Sequence, residues 1–152
     1  TIMASKLGLE EYRPEDEQLI NQLLELMQTN NVDYSILFRL LCDFSEHNQS
    51  ARDQFIDRAG FDSWAKDYLQ RLHQQSWTDQ QRREKMLTIN PKYVLRNYMA
   101  QAAIEMAEQG DYSEVNMLLE VLQNPCEEHP QAEKYAGLPP NWAETISVSC
   151  SS

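Results

Sequence analysis

The stretch NPKYVLRNYMAQAAIEMAEQG, residues 90–110, carries both a start and a stop signal for one helix. Asn90 is the predicted N-cap, because its side-chain oxygen can accept a hydrogen bond from a free backbone N–H of the first turn. Pro91 suits the first helical position, where its missing N–H costs nothing. Gly110 suits the position after the last turn, where glycine adopts a positive φ at little cost. The sequence therefore predicts one long helix between these limits.

Apolar side chains occupy most sides of this predicted helix. One face carries Leu95, Tyr98, Met99, Ala102 and Met106, and another carries Tyr93, Ala100, Ile104 and Ala107. A helix that is apolar on most sides is usually packed from most sides. We therefore expect this helix to lie at the centre of the domain.

Amphipathic spacing and capping residues predict further helices on both sides of it in the chain. They cover residues 14–29, 33 to about 46, 49–59 (stopped by Gly60), 62 (Asp62 as cap) to about 75, 78 to about 86, and 111–124. Two of them open with the capping-box pattern, in which the fourth side chain reaches back to the cap's own N–H. The sequence shows no alternating strand pattern and no internal repeat. The predicted fold class is all-α, an irregular bundle of about six helices.

The helical periodicity ends after Asn124. Pro125, Pro130, Pro139 and Pro140 follow closely, and proline removes backbone donors that helices need. We therefore predict a helical domain over residues 1–124 and an extended, proline-rich C-terminal tail over residues 125–152. The tail also carries apolar side chains, and we expect these to lie in grooves on the helices or on a part of the protein outside this chain. They are Tyr135, Leu138, Trp142 and Ile146.

Composition excludes several classes of partner. The net charge is −11 and the isoelectric point is about 4.6, which argues against binding to nucleic acid or to an anionic membrane. No apolar run approaches the roughly 18 residues that span a bilayer. Three cysteines are too few for a disulfide scaffold, and the odd count leaves at least one thiol free. A reducing cytoplasm is the expected location.

Four segments resemble the YdiU/selenoprotein O family: NPKYVLRNY at 90–98, GDYSEV at 110–115, PPNWA at 139–143 and VSCSS at 148–152. They are contiguous and follow the family's order. The resemblance runs from Lys6 to the end of the chain and covers only the C-terminal part of a family member. It implies that a kinase-like, nucleotide-binding core lies upstream and is absent from this chain.

The resemblance implies that the parent protein is a protein adenylyltransferase. Such an enzyme binds ATP in an inverted pose, so that AMP rather than phosphate passes to Ser, Thr or Tyr hydroxyls of protein substrates. ATP and Mg²⁺ or Mn²⁺ are the implied cofactors, held by residues upstream of this chain. The chain itself has four isolated glycines and no phosphate-binding loop, so no catalytic residue is assigned to it.

We therefore expect this chain to be a non-catalytic structural part with a redox-regulatory tail. Its expected partners are the kinase-like core of its own chain and the protein substrates of the parent. The alternative is a stand-alone acidic helical module that binds a protein partner and has no enzymatic role.

Five basic residues cluster within an otherwise acidic chain: Arg82, Arg83, Lys85, Lys92 and Arg96. They dock the kinase-like core, reach toward nucleotide phosphates, or pair with the surplus carboxylates. For the first three, on a polar helix, pairing is the preferred interpretation. Arg96 lies beside Ala103 and Ala107 on the predicted central helix and should be partly buried, so it needs a partner. The core-docking candidates are Lys92, Arg96 and Trp142.

Cys150 lies near the end of the chain, where a thiol can move and react. On the residues alone, an inert terminal residue is the preferred interpretation. The family holds cysteine, or selenocysteine in many eukaryotic members, at this position, and the resemblance therefore implies a redox-active residue that approaches the kinase-like core. Cys42 is the predicted core cysteine. Cys126 and His129 offer two metal ligands, whereas a structural zinc site needs about four, so no metal site is predicted.

Overall fold

Helices and short 3-10 turns make up the computed structural model, which describes residues 2–137 of the chain. The α-helices are α1 (Ile2–Lys6), α2 (Asp16–Thr29), α3 (Tyr34–Leu41), α4 (Arg58–Leu72), α5 (Asp79–Ile89), α6 (Asn97–Glu108) and α7 (Ser113–Gln123), and 3-10 turns cover Ser50–Gln54 and Pro130–Tyr135. Within these described residues the only β-type pairing is an isolated bridge between Ser45 and Asn48. The predicted all-α class is confirmed.

The chain divides into two units, residues 1–90 and residues 91–152, and each has its own hydrophobic core. In the first unit, α2, α3 and α4 bury large aromatic and aliphatic side chains such as Leu23, Phe38 and Tyr68. In the second unit, α6 and α7 pack with the 3-10 turn Pro130–Tyr135. The core of the second unit comprises Tyr93, Tyr98, Met99, Ala103, Leu118, Val121, Ala132 and Tyr135.

This division differs from the expected one, in which a helical domain ended at residue 124 and an extended tail followed. Ala132 and Tyr135 are buried in the second core, so the described part of the expected tail belongs to that unit. Proline at the start of the 3-10 turn is compatible with a helical first position, which is why the prolines do not prevent this packing. The remainder of the expected tail, residues 138–152, lies outside the described residues.

The predicted helix over residues 90–110 is wrong in its first part. α5 ends at Ile89 with Asn90 as its C-cap, and α6 begins only at Asn97. Asn90 is fully buried, and its Nδ2 donates to the carbonyl of Lys6 at 3.0 Å. The backbone N–H groups of residues 92 and 93 donate to the carbonyl of Pro125 at 2.9 and 3.2 Å. These partners lie far away in the chain, so a local cap signal could not reveal them.

The C-terminal end of α6 follows the prediction, but its packing does not. Gly110 has a φ of +88°, and its N–H donates to the carbonyl of Ala107 at 2.9 Å, as a glycine just past a helix end does. The expectation that the helix is packed on most sides is wrong, because Ile104 is 47% exposed. α6 is therefore one wall of a small core rather than the centre of the fold.

α4 begins earlier than predicted. The side chain of Asp57 accepts a hydrogen bond from the N–H of Gly60 at 2.9 Å, so α4 starts at Arg58 and includes this glycine. The predicted cap, Asp62, pairs instead with Arg52 at 2.8 Å. The predicted helix over residues 49–59 is reduced to the 3-10 turn Ser50–Gln54.

One of the two predicted capping boxes is present. Thr78 Oγ1 accepts from the N–H of Gln81 at 3.1 Å, and Gln81 Oε1 accepts from the N–H of Thr78 at 2.9 Å. In the second pattern, Asp111 Oδ1 accepts from both the N–H and the Oγ of Ser113, at 3.0 and 2.7 Å. That side chain therefore forms a local turn before α7, and the predicted box with Glu114 is wrong.

Candidate functional site

Residues 7–15 of the first unit connect α1 to α2, and side chains from α4 and from the turn after it donate to three of their carbonyl groups. Tyr68 Oη donates to the carbonyl of Leu7 at 2.5 Å, and Gln75 Nε2 donates to that of Gly8 at 2.8 Å. Burial raises the pKa of the Tyr68 hydroxyl, so that it remains a donor at any physiological pH. Because a buried carbonyl without a donor is costly, these side chains fix the path of the connection.

Arg71 of α4 and Asp16 of α2 form a buried ion pair beside this connection. Nε and Nη2 of Arg71 donate to the two carboxylate oxygens of Asp16 at 2.6 and 3.1 Å, and Nη2 also donates to the carbonyl of Glu11 at 2.9 Å. The two residues are 8% and 2% exposed, respectively. Burial opposes the charged carboxylate, but the hydrogen bonds from Arg71 and from the N–H of Arg13 hold the pKa of Asp16 below its ordinary value of 3.8.

An open groove runs between α2 and α4 alongside this ion pair. It has two adjoining parts of about 550 and 360 Å³, which share Gln22 and Asp67. Four glutamine side chains line it, two on each side: Gln18, Gln22, Gln70 and Gln74. The charged lining comprises the carboxylates of Glu15, Asp16, Glu25, Asp57 and Asp67 and the guanidinium groups of Arg13 and Arg71. We call this surface the α2–α4 groove.

Sequence reasoning missed the α2–α4 groove and the ion pair beside it. The signal was Arg71 itself, which stands among apolar residues of α4, three positions after Tyr68 and one before Leu72. An arginine on an apolar helix face needs an anionic partner. The sequence does not identify that partner, because an aspartate in the first turn of a helix, such as Asp16 in α2, is already explained by the helix dipole.

In the second unit, Lys92 holds the segment that follows α7. Its Nζ pairs with the carboxylates of Glu128 at 2.5 Å and Glu133 at 3.0 Å. Partial burial disfavours the ammonium ion, but the two hydrogen bonds outweigh it and raise the pKa of Lys92 above its ordinary value. Lys92 therefore links residues 91–93 to residues 125–133 within the second unit.

Arg96 is half-buried, as the sequence predicted, but it immediately precedes α6 and does not lie on it. Its expected position beside Ala103 and Ala107 on one helix face is therefore wrong. The helix begins one residue later than Arg96 because residues 92 and 93 bond to Pro125. The other two predicted site residues, Trp142 and Cys150, lie outside the described residues.

His129 is buried and serves the fold of the second unit. Its backbone N–H donates to Tyr93 Oη at 3.1 Å, Tyr93 Oη donates to its carbonyl at 3.2 Å, and its ring Nε2 lies 2.8 Å from the carbonyl of Asn124. Among residues 2–137, no group of three or more His, Cys, Asp or Glu side chains could hold a metal ion. His129 and the half-buried Cys126 therefore have structural surroundings in this unit.

Carboxylate pairing was predicted for Arg82, Arg83 and Lys85 of α5, and it is confirmed for Arg82 and Arg83, whereas Lys85 has no carboxylate partner among the described residues. Arg82 is only 2% exposed; it pairs with Asp79 at 3.1 Å and donates to the carbonyl of Phe44. Arg83 pairs with Asp43 at 2.6 Å. The burial of Arg82 was not predicted, since the spacing of α5 reads as polar.

Cys42 is fully buried at the end of α3, which confirms it as a core residue. Its burial raises the pKa of the thiol, and a thiol held in the protonated form is a poor nucleophile. Redox chemistry in this chain is therefore not expected at Cys42.

No helix among residues 2–137 combines the length and the apolar character that a membrane span requires.

Comparison with known proteins decides the family. The sequence profile of the family described as "Protein adenylyltransferase SelO" matches residues 1–123. The chain belongs to the SelO family. It is 47% identical to a protein nucleotidyltransferase YdiU of Paraburkholderia xenovorans over 154 residues, and 48% identical to that of Pseudomonas fluorescens over 154 residues. It is 45% identical to that of Herminiimonas arsenicoxydans over 155 residues.

These SelO relatives are much longer than this chain. Each match covers 99% of the chain but only 30%, 32% and 31% of the respective relative. The chain therefore spans somewhat under a third of the length of the curated relatives that it matches. The family resemblance that the motifs indicated is confirmed. Because the chain covers so little of its relatives, the family match alone does not show the activity of the full-length protein.

Proposed function

We propose that this chain is the C-terminal region of a protein adenylyltransferase, which transfers AMP from ATP to Ser, Thr or Tyr hydroxyls of proteins. Membership of the SelO family, with its match over residues 1–123, carries this proposal. In the full-length protein, Mg²⁺ or Mn²⁺ would neutralise charge on the phosphates during transfer. The net charge of −11 supports protein substrates over nucleic acid, and the proposed location is the cytoplasm.

The proposed role of this chain in the enzyme is support without catalysis. Its glycines are isolated, and two of them, Gly8 and Gly110, have positive φ at the ends of helices rather than in a loop that could surround phosphates. The described residues also offer no carboxylate or histidine cluster for a metal ion. We therefore assign no step through nucleotide or metal to residues 2–137.

The surface of the second unit supports docking on the kinase-like core. Its small core leaves large apolar side chains in solvent, each from 47% to 59% exposed: Leu95, Ile104, Tyr112 and Leu119. Exposed apolar side chains on a small unit favour a partner surface over a stand-alone module. Lys92 contributes by holding residues 125–133 in place, and Arg96 and Trp142 are the further proposed docking residues.

Transfer of a radioactive label tests the proposed reaction. The full-length protein should transfer label from ATP marked at the α-phosphate to a protein substrate, and none from ATP marked at the γ-phosphate. The 152-residue chain should transfer neither label. Transfer of the γ-label by the full-length protein would make it a kinase, and transfer of the α-label by the chain alone would contradict the supporting role.

We also propose that Cys150 is a redox-regulatory residue that approaches the kinase-like core. The position of this thiol in the sequence and the family resemblance support this, whereas buried Cys42 is unsuited to the role. Full-length Cys150→Ser should lose the difference in activity and electrophoretic mobility between oxidising and reducing conditions. Cys126→Ser is the matched control and should retain that difference. Identical behaviour of Cys150→Ser and the unmodified protein would contradict the proposal.

A further inference from the structure

We propose that the α2–α4 groove binds an extended, positively charged segment of a protein. This inference rests on the proposed function, because the segment would belong to a protein substrate of the full-length enzyme. It adds a docking site at a place that contains none of the predicted docking residues. Four features of the groove support it: its length, its amide lining, its charge and one buried donor.

The length of the groove suits a short stretch of extended chain. Its lining runs from Glu15 to Thr29 along α2, and along α4 from its N-cap, Asp57, to Gln74, two residues past its end. At 1.5 Å per helical residue, the α2 side is about 20 Å long. An extended chain rises about 3.3 Å per residue, so the groove accommodates about six residues.

The glutamine side chains suit the backbone of such a segment. Gln18 and Gln22 are four residues apart on α2, so this pair follows one helix face, whereas Gln70 lies on α4 and Gln74 lies in the turn after it. A glutamine amide offers two donors and an acceptor, although Oε1 of Gln74 already accepts from Nη1 of Arg13 at 3.1 Å. An extended backbone presents N–H and C=O groups along its length, whereas a helix uses most of its own internally.

The charge of the groove selects for basic side chains. Arg71 is neutralised by Asp16, and Arg13 pairs with Glu11 at 3.4 Å. The carboxylates of Glu15, Glu25 and Asp67 remain along the groove as a negative field. That field repels the phosphates of a nucleotide and attracts lysine or arginine side chains of a protein segment.

Within residues 2–137, one guanidinium nitrogen in the lining, Nη1 of Arg71, lacks an acceptor of the kind that a backbone carbonyl provides. Nη1 of Arg71 is buried and has no hydrogen-bond partner among the described residues, although Nε and Nη2 of the same side chain are fully engaged. An unsatisfied buried donor is costly, and a small shift of the Arg71 side chain that exposes Nη1 to the groove would let it donate to a carbonyl oxygen of an extended segment. The ligand class is therefore a polypeptide with free carbonyl groups and basic side chains.

A labelled peptide tests the proposal directly on the 152-residue chain. The probe is a short fluorescein-labelled peptide of alternating lysine and serine, followed by fluorescence polarisation at about 0.15 M ionic strength. Saturable binding is expected for this peptide and not for the same peptide with glutamate in place of lysine. The absence of saturable binding, or equal binding of both peptides, would overturn the proposal.

Matched variants separate the groove from the general acidity of the chain. Asp67→Lys, in the part shared by both halves of the groove, should weaken binding about tenfold. Glu84→Lys makes the same charge change at an exposed site on α5 outside the groove, and should weaken binding less than about twofold. Gln22→Leu should weaken binding about threefold through lost amide contacts. Equal effects of Asp67→Lys and Glu84→Lys would overturn the proposal.

The full-length protein distinguishes failure of this inference from failure of the proposed function. With the lysine–serine peptide as AMP acceptor, Asp67→Lys should raise the KM for peptide about tenfold and leave the KM for ATP and kcat unchanged. If the unmodified full-length protein transfers no AMP, the proposed function fails. If it transfers AMP and Asp67→Lys leaves the peptide KM unchanged, only the docking site is refuted.

Discussion

The two units of this chain satisfy their buried groups in different ways. The first unit joins distant parts of its sequence through buried side chains: Tyr68 reaches the carbonyl of Leu7, Arg71 reaches Asp16, and Asn90 reaches the carbonyl of Lys6. The second unit has a smaller core and leaves Ile104 and other large apolar side chains exposed. The first unit also exposes large apolar side chains, including Ile56 at 90%, so the difference between the two units lies in the size of their cores. We therefore expect the first unit to be the more stable of the two.

The largest effect is expected from breaking the buried ion pair of the first unit. Arg71→Met leaves the carboxylate of Asp16 buried without its cation, which should lower the free energy of unfolding by about 3–5 kcal/mol. Denaturant unfolding followed by tryptophan fluorescence measures it, since Trp64 is in the same core. The control is Arg58→Met, whose exposed pair with Asp53 spans 3.7 Å and should be worth less than about 1 kcal/mol. Equal losses in the two variants would contradict the comparison.

A pair of glycine substitutions contrasts the packing of the two units. Gly8 has a φ of +71°, and an added Cβ would lie 2.5 Å from Cγ of the buried Arg82, whereas Gly110 has a φ of +88° and open space around it. Both alanine variants carry the conformational cost of positive φ, about 1–2 kcal/mol. Gly8→Ala adds overpacking of about 1–3 kcal/mol.

Denaturant unfolding of both variants should therefore show the larger loss for Gly8→Ala. Similar losses for Gly8→Ala and Gly110→Ala would mean that the contact between residue 8 and α5 is not tightly packed.

A smaller loss of stability is expected from removing the Tyr93 hydroxyl, which bonds to the backbone of His129 in the second unit. Tyr93→Phe removes the hydrogen bonds of Tyr93 Oη with the backbone N–H and carbonyl of His129, which should cost about 1–2 kcal/mol. Amide hydrogen exchange should become faster in residues 125–137 and stay unchanged in residues 2–90. Tyr112→Phe, at a site that is 59% exposed, is the control and should alter neither. Unchanged exchange in Tyr93→Phe would show that this hydroxyl does not hold the segment.

The last prediction concerns how the free energy of unfolding depends on pH in acid, an effect that does not show at neutral pH. The pKa of Asp16 is lowered in the folded chain, despite burial, by its bonds to Arg71 and to the backbone of Arg13. The folded state therefore favours the ionised carboxylate, so its contribution is complete above the ordinary pKa of 3.8 and is lost as the pH falls through the folded value. Unfolding measured against pH should show this acid loss in the unmodified chain.

The Asp16→Asn variant should lack that part of the pH dependence. Asp111→Asn provides the contrast in the second unit, because the exposed Asp111 owes its lowered pKa to local bonds with Ser113 and should affect acid stability little. The same acid loss in Asp16→Asn and in the unmodified chain would contradict the role of the ion pair.

The sequence predicted what local chemistry determines. The amphipathic spacing of α2, the Thr78 capping box and the end of α6 at Gly110 all depend on residues within a turn or two of each other. The family resemblance also rested on contiguous motifs. The all-α class followed from these signals together, because each depends on periods and caps that the chain displays locally.

The start of α4 and the Asp111 turn were mispredicted at local hydrogen bonds, whereas the larger errors have a common physical cause in long-range bonds. Asn90 and Pro91 have the local chemistry of a helix start, but Asn90 is buried against Lys6, and the backbone after Pro91 bonds to Pro125. The α2–α4 groove was missed for the same reason, since its walls come from two helices that are far apart in the sequence. A single sequence does not state which distant partner will satisfy a polar group.

We propose that nucleotide chemistry lies outside this chain. Calorimetric titration of the 152-residue chain with ATP and Mg²⁺, beside the same titration of the full-length protein, is the measurement to make first. Binding heat is expected for the full-length protein and none for the 152-residue chain. Binding heat from the chain would refute the proposal, and Lys92 and Arg96 would be the first residues to replace.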